Sequence, residues 1–112
     1  MSSSVAKPAF LTRGMFEEHL NTRFWLVDGS RDSYAMDLME VANGYCTPRQ
    51  EQFSLRFRGD RNQIFPQRIY PMKHDAMGEF DLFLVPVSRD ETGTFYEAVF
   101  NRLIQNEDPI QR

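Results

Sequence analysis

The stretch from Gly78 to Leu103, GEFDLFLVPVSRDETGTFYEAVFNRL, places the tightest constraint on what this chain can become. Successive side chains of a strand point to opposite faces. In Glu79 to Val87 this sets Phe80, Leu82 and Leu84 on one face and Asp81, Phe83, Val85 and Val87 on the other. In Thr94 to Asn101 it sets Tyr96, Ala98 and Phe100 against Phe95, Glu97 and Val99. Neither strand has a cleanly polar side, so both of its faces call for cover. The polar Ser88 to Gly93 between them ends in glycine and reads as a loop somewhat longer than a tight turn, joining an antiparallel pair. Pro86 donates no ladder hydrogen bond and belongs at a strand end, at an edge, or with its nitrogen turned away from the neighbour.

Residues 1–9 are small and polar, and read as a flexible arm. Thr12 is placed to cap a short helix carrying Leu11, Met15, Phe16 and Leu20 at helical spacing, with Glu17 and Glu18 in its first turns and Gly14 weakening it. The outer faces of the two long strands are the expected seat for its apolar stripe. Arg23 to Val27 reads as a strand, Asp28 to Asp32 as a turn, and Ser33 to Val41 as a second strand. That second strand changes face near Leu38, which predicts a bulge. Asn43 to Arg49 carries Asn-Gly and Thr-Pro pairs and reads as a loop. Next come Phe53, Leu55 and Phe57, alternating with Ser54, Arg56 and Arg58 in a strand with one dry and one wet face. A turn at Gly59 to Asn62 leads to Arg68-Ile69-Tyr70-Pro71-Met72, a strand that its proline marks as short or peripheral. Lys73 to Gly78 turns into the opening pair, and residues 104–112 form a polar tail.

Six strands with turn chemistry between them predict an all-β domain with an N-terminal helix, a small antiparallel six-stranded meander or barrel. One domain spans residues 10–103, and its connections are short enough for each strand to pair with the next. A chain of 112 residues buries about two-thirds of its unfolded surface, sufficient for a core without staples. Ten Phe, four Tyr and one Trp suit a β-rich core.

The formal charge of −3, with acids and bases intermixed, offers no basic stripe for a phosphate backbone, so nucleic acid is not an expected partner. No apolar run approaches the roughly 20 residues of a spanning helix, and Met1 to Pro8 lacks the apolar core of a signal peptide. A soluble, cytoplasmic protein, or one assembled into a particle, is the expectation. The single cysteine, Cys46, excludes an intrachain disulfide framework and favours a reducing compartment.

The LTRGMFEEHLNTRFWL opening, FSLRFRG, IFPQRIYPMKHDAMGEFDLFLVPV and FYEAVFNRL together resemble a family of small bacterial domains of unknown function, over residues 10 to 103. The resemblance implies a compact β-rich fold and a loose association with phage-tail-collar-like proteins, hence a structural or assembly role. It implies no activity and no catalytic residue.

Chemistry-bearing residues are sparse. His19, His74 and Cys46 are the only histidines and thiol, and no serine-hydrolase elbow, zincin motif or phosphate loop is present. No catalytic site, cofactor or metal is expected; His74-Asp75 with Asp60 or Glu79 falls short of a ligand set. Glu17-Glu18 complement a helix dipole, and Asp90-Glu91 suit a loop. Arg56, Arg58, Arg61 and Arg68 form the basic cluster, either a solubilising face or, at Arg56, Arg58 and Arg68, a surface for an anion or acidic partner. Phe83, Val85, Val87, Phe95 and Val99 form a partner surface unless the helix covers them. The expected function is therefore a non-catalytic structural or protein-interaction module that binds a protein partner or itself. A small-ligand-binding β-barrel is the alternative, and an enzyme of unknown type comes third.

Overall fold

The computed structural model describes residues 11–27, 32–47 and 50–103, without the side chains of 45–47, 50–51 and 102–103. The expected arm, the polar tail and most of the turn after Val27 lie outside the described residues. One short helix, α1 (Arg13–Glu17), precedes six strands: β1 (Arg23–Val27), β2 (Ser33–Thr47), β3 (Gln50–Gly59), β4 (Arg68–His74), β5 (Gly78–Asp90) and β6 (Gly93–Leu103). All pair antiparallel and close into a barrel in the order β1-β2-β3-β6-β5-β4.

The parity of the strands decides the core. Phe24, Leu26, Met36, Leu38, Phe53, Leu55, Phe57, Tyr70, Met72, Phe80, Leu82, Leu84, Tyr96 and Ala98 all point inward and are buried. The expected inward faces of β3, β5 and β6 are thus the observed ones, with Phe100 only partly buried and stacked on Phe53 at 4.6 Å.

Four local expectations are revised. The ring is not a meander, because β3 pairs with β6 rather than with β4, and the segment from Asp60 to Gln67 crosses the open end of the barrel to reach β4. β4 is not peripheral: it closes the ring between β5 and β1. Its ladder to β1 is only Trp25↔Lys73 and Leu26↔Met72, stopping one step short of Pro71, which has no N–H to donate. The expected loop from Asn43 is instead a continuation of β2 through a bulge between Asn43 and Cys46. There Gly44 lets the β3 backbone approach, since a Cβ on it would sit 3.0 Å from the Gln52 carbonyl oxygen. The β5–β6 connection is also tighter than expected. A bulge at Val87 resets the register to Ser88↔Phe95, and pairing runs on to Asp90↔Gly93. The Asp90 carboxylate accepts from the Thr92 N–H and hydroxyl, at 2.8 and 2.6 Å, and these bonds hold it below the usual carboxylate range. The bulge expected near Leu38 is present, at Met39.

The seat of α1 is the largest correction. Thr12 caps it, its Oγ1 accepting from the Met15 N–H at 3.2 Å, but the helix has only five residues. So short a helix offers no stripe long enough to cover a sheet's outer face. It inserts one fully buried ring, Phe16, into the barrel mouth, within 5.6 to 6.3 Å of the rings of Phe24, Phe53, Phe80 and Phe100. The chain after it is tied to β2 by the Asn21 N–H to the Leu38 carbonyl (2.8 Å) and the Leu38 N–H to the Thr22 carbonyl (3.1 Å).

Candidate functional site

With α1 inside the mouth, the outward residues of β4, β5 and β6 are left uncovered by it. Ile69 and Phe83 face each other across β4 and β5, 62% and 49% exposed. Val99 is 58% and Val87 42% exposed, while Val85 and Phe95 are half-buried. All five residues expected to form a partner surface therefore lie on the outside of one wall. Ile69 joins them and was missed by sequence reasoning. Its signal was present, because it alternates with the buried Tyr70 and Met72. Pro71 and Asp81, opposite one another, continue the wall toward the helix end.

The adjoining wall is built differently. Arg56 stands in register with Glu40 on one side and Glu97 on the other. Arg58 reaches Asp37 at 3.4 Å, and Arg23 reaches the other oxygen of the same carboxylate at 3.3 Å. Opposite charges thus alternate across β1, β2, β3 and β6, an arrangement that stabilises a sheet modestly and leaves little net field for an anion. Arg56 and Arg58 share this wet face, but Arg68 does not join them. It lies on β4, separated from β3 by two intervening strands in either direction around the ring, with its guanidinium 5.2 Å from the centre of the Tyr70 ring.

A third constellation sits where β4 ends. His74 points inward, 8% exposed, its ring 4.3 Å from Phe24 and 4.5 Å from His19. Its Nδ1 accepts from the Ala76 N–H at 3.0 Å and the Met77 N–H at 3.2 Å. Two donors on Nδ1 assign the ring proton to Nε2, which lies 2.9 Å from the Thr22 Oγ1. The Thr22 hydroxyl donates onward to the His19 carbonyl at 2.6 Å. Burial, then the neighbouring His19, push the pKa of His74 below its ordinary 6.5, with Asp75 opposing. An open groove of about 510 Å³ passes over this corner, lined by Trp25, Ser33, Lys73, Asp75, Gly78 and Glu79 as well as His74.

Both ring nitrogens of His74 are engaged within the fold, Nδ1 by the turn after β4 and Nε2 by the Thr22 hydroxyl. Among the described residues no group of three or more His, Cys, Asp or Glu side chains is placed to hold a metal ion. The Cys46 side chain lies outside the described residues. No helix among them is long and apolar enough to cross a membrane.

Residues 11–100 match the model of a protein family described as a domain of unknown function, DUF6916. No curated protein and no solved structure matches the chain.

Proposed function

We propose that this chain, which belongs to the DUF6916 family, is a non-catalytic interaction module that docks a protein partner, or a second copy of itself, on the β4–β5–β6 wall. One observation carries the reading: Ile69 and Phe83 oppose each other on an outer face, both about half exposed or more, with Val87 and Val99 exposed on the same wall. Apolar side chains grouped on the outer face of β4, β5 and β6, bordered at Glu97 by a face of alternating charge, are the pattern of a docking surface. The resemblance to phage-tail-collar-associated bacterial domains suggests an assembly as its setting.

The test combines light scattering on the purified protein with capture from native lysate, for the wild type and for Phe83→Ser with Val99→Ser. Self-association or capture that disappears in the double variant, at unchanged thermal stability, supports the proposal. A wild type that stays monomeric and captures nothing overturns it. The alternative of a small ligand inside the barrel is disfavoured by the packing, because Phe16 fills one mouth, Phe65 packs across the other, and buried side chains occupy the space between.

A further inference from the structure

The barrel is held unevenly. β3 and β6 share ten paired positions, whereas β1 and β4 share two. At that short seam the backbone ladder is supplemented by a side-chain relay: His74 Nε2 to Thr22 Oγ1 (2.9 Å), and Thr22 Oγ1 to the His19 carbonyl (2.6 Å). The same imidazole holds the β4–β5 turn by accepting two backbone N–H groups on Nδ1. One neutral ring therefore joins the segment after α1, the start of β1, the end of β4 and the turn into β5.

We propose that His74 is a proton-sensitive latch on the β1/β4 seam. A proton on Nδ1 sets three donors against one another, so the ring must leave the turn, and the Thr22 bond leaves with it. The groups that face His74 set the direction of the response. His19, from the segment after α1, stands 4.5 Å away between ring centres and disfavours a proton on His74. Phe24 on β1 and Met77 in the turn give a cation no hydration. Asp75 favours the cation, and Lys73 and Glu79, which also line the groove, stand opposite each other in register.

The pH window follows from the lowered pKa. Above 6.5 neither the folded nor the unfolded chain holds this proton, and the latch is fully effective. As the pH falls below that value the unfolded or opened chain takes up a proton that the closed seam refuses. Seam stability then declines until the lower, folded-state pKa is reached.

Native-state hydrogen exchange between pH 7.5 and 5, corrected for intrinsic rates and combined with a proton titration of the His74 ring, tests this. Protection at Trp25, Leu26, Met72 and Lys73 should fall by up to about tenfold per pH unit below the ordinary histidine pKa, while Leu55, Phe57 and Ala98 hold theirs. In His74→Asn the amide oxygen can accept the same two N–H groups and has no proton to gain, so seam protection should be independent of pH. Should that variant not fold, the wild type alone decides. A His74 that titrates at or above 6.5 with seam protection unchanged overturns the latch, as does a folded His74→Asn that loses protection in parallel with the wild type.

Discussion

The two ends of the barrel are closed by different chemistry. At the helix end a single ring, Phe16, sits among four other phenylalanines, and no side-chain hydroxyl takes part in that cluster. At the other end Phe65 packs against Tyr34, Tyr70 and Tyr96. There the hydroxyls do the fastening. Tyr96 accepts from the Phe65 N–H at 2.9 Å and donates to the Gln63 carbonyl at 3.3 Å, and Tyr70 donates to the Pro66 carbonyl. The difference follows from what each plug is made of. A capped helix turn satisfies much of its own backbone and needs only an apolar filler, whereas an extended segment crossing a barrel mouth brings unpaired N–H and C=O groups that must find partners. Burial holds the phenols of Tyr70 and Tyr96 above their ordinary pKa, so both remain donors at neutral pH.

That contrast can be broken by substitution. Phe16→Ala should have the largest effect, a loss of about 3 to 5 kcal/mol in chemical denaturation, because the ring is fully buried and rings from four strands meet on it. Phe65→Ala removes a half-buried ring and should cost roughly 1 to 3 kcal/mol. A larger loss there than at Phe16 would reverse the ranking of the two ends. Tyr96→Phe keeps the ring and orphans the Phe65 N–H, so about 1 kcal/mol is expected. The Phe16 ring itself carries no polar atom to remove. Arg56→Ala, on the charged wall and remote from both plugs, should change stability by less than about 0.5 kcal/mol. A loss comparable with that of Tyr96→Phe would mean that the Glu40-Arg56-Glu97 row contributes as much as a plug.

What could be read from the residues was the parity of each strand. Phe53-Leu55-Phe57 and Phe80-Leu82-Leu84 named their buried faces because alternation is a property of consecutive residues. The bulge at Met39 was legible for the same reason. The partner of β3 was not, since pairing β3 with β6 depends on which edges remain free once all hairpins form. The seat of α1 was misplaced because counting apolar residues at helical spacing overlooked how few residues the helix has. Asn43-Gly44 marks a bulge as readily as a turn, and only the approach of Gln52 distinguishes them. On the candidate docking wall five of the six apolar residues were visible as a second apolar face, whereas Asp37, which neutralises Arg23 and Arg58, lies too far along the chain from either for local pattern to join them. The assignment of His74 to a turn and a seam was likewise invisible, because Thr22 is remote in sequence.

The crossing from β3 to β4 also bears on how quickly this chain reaches its native state. The hairpins β1–β2, β4–β5 and β5–β6 close over short stretches, but the ten-pair ladder between β3 and β6 joins residues from Gly59↔Thr94 out to Gln50↔Leu103. Closing such long loops costs entropy before the contacts form. On this topology one side of β3 finds its native partner only when β6, the last strand in the chain, is in place. The pairing thus predicts that docking of the two halves, rather than formation of either, limits the folding rate, and that Ser54→Gly in the β3–β6 ladder slows refolding more than a comparable change in the β4–β5 hairpin.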